Sequence, residues 1–212
     1  MAGNSFAPFG FSPVNTSGGP VNWRISTRRI AAGNSTAIFK GDAVVPVTGT
    51  ANGYIKQATA STVPLAGIFW GCKYLSVSQK RTIWSNYWPG SDANGDVIAY
   101  VIDDPNARFK VQTSGTDFLI GAAPTYSVTN FGDSPVGQNA GFATGSGSTA
   151  TGISGQYLDQ VGTSGRLPFI ITDMVIDPPG SNGADPQSVY NYVIVGFNNE
   201  WLRSNAAVTG IS

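Results

Sequence analysis

Residues 96–113 read DVIAYVIDDPNARFKVQT: a run of β-branched and aromatic residues, a cluster of turn formers, then a second such run. Val, Ile, Tyr and Phe suit an extended, pleated backbone, whereas Asp, Pro and Asn in succession interrupt it. The reading is strand, turn, strand. The same grammar extends outward on both sides. TAIFK, DAVVPV, YIKQAT, LAGIFWGCKYL and QKRTIWSNYW stand before it, and LPFIITDMVI and SVYNYVIVGF after it. Between the runs lie FKGD, TANG, DANGD, GTSG and DPPGSNGADP, clusters with the residues that tight turns select. No long window carries the period of an amphipathic helix, and Glu200 is the only glutamate. The expected fold is all-β, a compact β-barrel or β-sandwich.

Composition narrows the function classes. Only 11% of the 212 residues are charged, against roughly 25% in ordinary globular domains, so Ser, Thr, Asn, Gln and Gly carry the polarity. Lys plus Arg and Asp plus Glu number 12 each, which leaves no net field to draw in nucleic acid or an anionic membrane. Direct nucleic-acid and membrane binding are therefore not expected. Little self-repulsion keeps copies apart, which points to an assembly component and to homo-oligomers. The opening MAGNSFAPFGFSPVNTSGG has no basic segment leading into an apolar one, so no secretion signal is expected. The single cysteine, Cys72, sits in an apolar run and reads as a small buried hydrophobe.

The text divides unevenly. Residues 1–29 read as an N-terminal arm, with Phe6, Phe9 and Phe11 spaced among Pro, Gly, Asn and Ser up to about residue 22. Either the terminus is frayed, or the arm lies across a neighbouring subunit with its Phe rings as contacts. Removing residues 1–22 is expected to leave the domain folded. Residues 30–212 read as one β domain, with a Gly/Ser/Thr-rich insertion at about 113–166.

Catalytic chemistry finds few candidates. The chain has no histidine, which removes the commonest general base and every Ser-His-Asp or Cys-His arrangement. Asp103 and Asp104 are adjacent, but neighbours on a strand point to opposite faces and DDPN is a turn sequence. DANGD puts oxygen ligands at Asp92, Asn94 and Asp96 as a calcium loop begins, yet its glycine comes one place early and no glutamate closes the loop. A hairpin turn is the expected use, and no metal, cofactor or catalytic residue is assigned. The stretch GFATGSGSTATGISG, residues 141–155, spaces Gly145, Gly147 and Gly152 like a phosphate cradle. Such a loop needs a strand before it and a helix after it, and neither flank supplies one. A surface loop is expected, either packed closely against a neighbour or flexible.

The remaining candidates are contact residues. WRISTRRI brings Trp23, Arg24, Arg28 and Arg29 together, read as inter-subunit salt-bridge partners, and WSNYWPG holds Trp84, Tyr87 and Trp88. The three aromatics stack sugars if they share an exposed face, or else serve the core or a subunit contact.

Taken in order, IFKGDAVVPVTGTANGYIKQATASTVPLAGIFWGCKY, WPGSDANGDVIAYVIDDPNARFKVQ, SGQYLD and LPFIITDMVIDPPGSNGADPQSVYNYVIVGFNNEWLR carry a resemblance across Ile30 to Arg203. The chain resembles the capsid cement or head-decoration proteins of tailed phages, in which a KGD turn starts a strand and a GIF.GC.Y strand closes the unit. The resemblance implies a virion structural protein, not an enzyme, on the outer surface of the capsid. It would bind the assembled head and bridge neighbouring major capsid proteins, as trimers or dimers at local symmetry axes. The competing expectation is a receptor- or carbohydrate-binding module on a phage tail, motivated by Trp84, Tyr87 and Trp88.

Overall fold

The structure, a computed structural model, describes residues 4–14, 23–49, 53–59, 64–115, 135–175 and 189–201. The chain is all-β, with no α-helix among the described residues. Every run read as a strand contains one. The turn at 177–186, residues 15–22 of the expected arm and residues 116–134 of the expected insertion lie outside the described residues.

Two antiparallel sheets stack face to face, consistent with a β-sandwich. The first runs in the order β1 (Ser12–Val14), β10 (Arg108–Gln112), β14 (Tyr192–Phe197), β13 (Phe169–Met174), β11 (Asn139–Ala143), β12 (Tyr157–Gly162). The second runs β2 (Ile25–Ile30), β9 (Val97–Ile102), β6 (Gly67–Leu75), β4 (Ala43–Pro46), β5 (Ile55–Gln57). Strand β7 (Thr82–Ser85) pairs with the last residues of β6, while β4 pairs with its first. A two-stranded ribbon joins β3 (Ile38–Phe39) to β8 (Tyr87–Trp88). An isolated parallel bridge from Arg29 to Tyr54 brings the β5 end of the second sheet back toward β2, so this sheet curls round its own core.

The period of two dictates where each side chain goes. Ala43, Val45, Ile68 and Ile102 face the first sheet and share a core with Phe109, Phe142, Phe169, Val193 and Val195. Val44, Phe69, Ala99 and Val101 point the other way, and Ile38 and Trp88 of the ribbon complete a second core there. The second sheet is therefore buried on both faces over part of its length. Along β9 the face that starts at Ile102 in the core continues through Tyr100 to Ile98, which is 41% exposed. The first sheet covers one end of the second and leaves the other end open.

The turn at 103–107 carries the chain from β9 in one sheet to β10 in the other. Asp104 shapes it, accepting from the N–H of Asn106 at 2.9 Å. Asp103 is fully buried at the crossing and accepts from Arg24 Nε, Arg28 Nη2 and Ser26 Oγ, each at 2.9 Å. A buried carboxylate is tolerated when its lone pairs are filled in this way. Within the chain, Arg24 and Arg28 hold the crossing, and Arg29 pairs with Asp96 at 3.5 Å.

Two expectations change. The described part of the arm, residues 4–14, lies along its own first sheet. Ala7 N–H donates to Gln112 Oε1 at 2.8 Å, Gln112 Nε2 donates to the carbonyl of Ser5 at 2.8 Å, and β1 pairs with β10. Phe6 meets Tyr157 edge-on, Phe9 stacks on Tyr192, and Phe11 stacks on Phe169 with centroids 4.3 Å apart. Within the expected insertion, β11 and β12 join the first sheet, and Ala140, Phe142 and Leu158 enter its core. Residues 4–14 thus belong to the folded domain, because Phe11 is a core residue. Phe11→Ala is expected to lower stability by about 3–5 kcal/mol, read as a fall in the denaturant midpoint at unchanged m-value.

Candidate functional site

Where the first sheet stops covering the second, a groove of about 650 Å³ opens. Its floor belongs to β6, β7 and β9. Gly71 lies opposite Tyr100, and Lys73, two residues on, lies opposite Trp84. With no side chain at Gly71, the rings of Trp84 and Tyr100 meet across β6, 5.7 Å apart and within 8° of parallel. A Cβ at Gly71 would also stand 3.0 Å from the carbonyl oxygen of Ser85. Trp84 remains 65% exposed. Trp70, Lys40 and Asn86 flank the floor, and Lys40 Nζ lies 3.8 Å from the centroid of the Trp70 ring. An ammonium over an indole face is a cation–π contact, and it fixes both side chains.

The far wall is Thr149 to Gly152, the tip of the glycine-serine loop. Gly152 N–H donates to the carbonyl of Ser148 at 2.7 Å, and Ser148 N–H to that of Ile153 at 2.9 Å, which closes a tight turn. Below the tip the backbone is packed against itself and its neighbours. A Cβ at Gly145 would collide with the carbonyl of Gly155, and one at Gly147 with the Phe39 ring. The small residues of 141–155 therefore serve close packing, the first of the two uses expected for them. A smaller hollow of about 270 Å³ shares Lys40, Trp70, Asn86 and Thr151 with the groove and extends it toward Phe9 and Ile153.

The wall is held from beneath by Asp42. This carboxylate is almost fully buried and accepts from Ser154 Oγ at 2.6 Å, Gln57 Nε2 at 2.7 Å and the N–H of Phe39 at 2.8 Å. Lys40 and Ile153 form a parallel bridge beside it. Burial holds the Asp42 carboxyl above the ordinary aspartate value of 3.8, and the three donors pull against that rise.

No family model, curated protein or solved structure matches this chain.

The structure separates the residues that sequence grouped. Of WSNYWPG, Trp84 is exposed on the groove floor, and Tyr87 lines the groove with its ring stacked on Phe39. Trp88 is fully buried, its Nε1–H donating to the carbonyl of Asn34 at 3.2 Å. Trp88 and Phe11 thus have no surface to offer a partner, and the expectation that they are contact residues is corrected for both. Trp23 packs edge-on to Trp70, behind the groove. The sequence reading missed Trp70, Tyr100, Lys40 and Asn86, which come from separate strands and turns and meet only through sheet register.

DANGD does not turn the hairpin expected of it, since its flanking strands β8 and β9 lie in different sheets; it lies along the turn between β6 and β7, with Ala93 bridged to Ser76. Asp92 accepts from Ser76 Oγ at 2.7 Å and from the N–H of Ser78 at 3.0 Å, bonds that hold its carboxyl below the ordinary range. Asp96 is drawn elsewhere, to Tyr54 Oη and Arg29. Among the described residues no three Cys, Asp or Glu side chains gather as metal ligands would. Burial pushes the Cys72 thiol up to about 12, so at neutral pH it is a protonated hydrophobe at the groove's base.

Two variants test the support of the wall. Ser154→Ala deletes the donor to Asp42 and the acceptor for the N–H of Gln156, and is expected to cost about 1–3 kcal/mol in chemical denaturation. Asp42→Asn removes the titration. Because the folded pKa lies above 3.8, the stability tied to this carboxyl is fully present below that value and is lost as pH rises through the folded pKa. The stability of the wild type minus that of the variant is accordingly expected to fall across this window and to be level on either side, which unfolding midpoints in a pH series will show.

Proposed function

We propose that this protein is a virion structural protein that binds the outside of an assembled phage head and cements neighbouring major capsid proteins. The family expectation comes from the ordered phrases between Ile30 and Arg203. The observation that supports it in the structure is an apolar tip held in one shape. The end of β6 and the turn after it expose Leu75 (44%) and Val77 (46%), and Ile98 extends the patch along the same face of the second sheet. Exposed apolar residues on a free loop would be ordered only on binding, at an entropic cost. Here Asp92 clamps the turn through Ser76 and Ser78, Val77 N–H donates to the carbonyl of Asp92 at 3.0 Å, and Asn94 N–H donates to that of Leu75 at 2.8 Å.

A cement protein needs such surfaces and little else. It meets a lattice already formed, in many copies, so modest contacts sum to firm attachment. Few charges let copies approach one another, in keeping with a trimer or dimer at a local symmetry axis. The β domain, with residues 4–14 strapped along the first sheet, is the rigid body through which such contacts transmit load.

Leu75→Asp combined with Val77→Asp places two charges on the tip without touching either core. The double variant is expected to keep the wild-type unfolding midpoint and to lose at least about tenfold in affinity for bare heads in co-sedimentation. Wild-type protein that fails to sediment with heads, or a double variant that binds them as well as wild type, would overturn the assignment.

A further inference from the structure

We propose that the groove is a binding site for a polysaccharide chain, separate from the tip that engages the head. The proposal stands on the groove's own chemistry and does not depend on where in a particle the chain sits.

A sugar ring offers C–H groups on its faces and hydroxyls round its rim, so its binding sites combine aromatic surface with small hydrogen-bonding side chains. The groove has both. Trp84, stacked on Tyr100 with Lys73 Nζ 4.7 Å from its ring centroid, still stands 65% exposed on the floor, and Trp70 adds a second indole under Lys40. Asn86 lines the groove with them, and Thr149 and Thr151 supply hydroxyls from the opposite wall. None of the lining residues is acidic, and Lys40 is the one charge among them. Hydrolysis needs a pair of carboxyl groups flanking the scissile bond, so this lining serves binding without cleavage. A lysine facing hydroxyls and amides also suits a chain that carries carboxylates, as uronates do.

The shape fits a chain better than a single sugar. The groove is open along its length and runs on into the hollow beside Phe9 and Ile153, sharing Trp70 and Lys40 with it. Its wall is also preformed: the loop tip rests on packed glycine backbone and on the bond from Ser154 to Asp42, so no loop has to be ordered when a ligand arrives.

The test uses the full chain on an array of neutral and uronate-bearing bacterial polysaccharides, followed by calorimetric titration of the strongest binder. Wild type is expected to bind at least one chain, and Trp84→Ala to weaken that binding roughly tenfold. Trp84 is largely exposed, so the variant is expected to keep the wild-type unfolding midpoint. Lys40→Met is expected to weaken uronate-bearing chains more than neutral ones. The Leu75→Asp, Val77→Asp variant is the control and is expected to bind polysaccharide as wild type does. Absence of any binder on the array, binding untouched by Trp84→Ala, or a groove that takes only extended peptides would each overturn the proposal. Wild-type protein that binds polysaccharide but not heads would count against the cement reading and leave this one standing, and wild type that binds heads but no polysaccharide would do the converse.

Discussion

A carboxylate without a cation sits where the layers meet. Asp42 is the last residue of the FKGD turn, and the three donors that fill its lone pairs come from Phe39 in the ribbon, Gln57 at the end of β5 and Ser154 in the glycine-serine loop. The backbone on either side of it is as densely bonded. Gly41 N–H donates to the carbonyl of Phe69 in β6, Phe69 N–H returns to that of Asp42, and Phe11 N–H from the N-terminal segment donates to that of Gly41. An isolated charge in such a place costs far more than one hydrogen bond returns, so the site is tolerable only when every donor is present. Each donor belongs to a different segment, and the carboxylate therefore ties the assembly of one to the assembly of all. The first sheet, the second sheet, the ribbon and the loop cannot slip independently past this point.

What the sequence made legible follows from which residues carry their own signal. Runs such as VIAYVI and FIITDM declare strands because β-branched and aromatic side chains suit a pleat wherever it forms. NAGFA in β11 and YLDQVG in β12 do not: small or polar, they become strands because Phe142 and Leu158 have a core to enter and neighbours to pair with. ISTRRI in β2 was hidden by its charge, since Arg28 looks like surface until Asp103 is found buried beside it. The Phe residues of the N-terminal segment looked free for the same reason, as nothing local says that Phe11 will meet Phe169.

The groove shows the limit most plainly. Trp84 and Trp88 are near neighbours in sequence, and one is open while the other is sealed, because β7 ends and β8 begins between them and the second strand joins the ribbon instead of β6. Conversely Trp84 and Tyr100 are far apart in sequence and stack across β6, Trp84 opposite Lys73 and Tyr100 opposite Gly71, which has no side chain to stand between them. Composition could show that the chain was rich in aromatics. Only register could show which of them meet.

The scarcity of charge, visible from the first reading, takes on a different meaning once the partners are known. Asp42, Asp92, Asp96 and Asp103 are all engaged inside the chain, two of them with arginine and three with serine hydroxyls. Asp42 fixes the loop that walls the groove, and Asp92 fixes the apolar tip by the same device, a carboxylate receiving a serine O–H across a turn. Acidic groups here are internal fasteners more than surface solubilisers. A surface left with so few free charges repels its own kind weakly, and the turns that the fasteners hold stand ready in shape before any partner arrives. Rigidity at the binding surfaces and neutrality between copies then have one origin, the use of a small stock of carboxylates to lock turns.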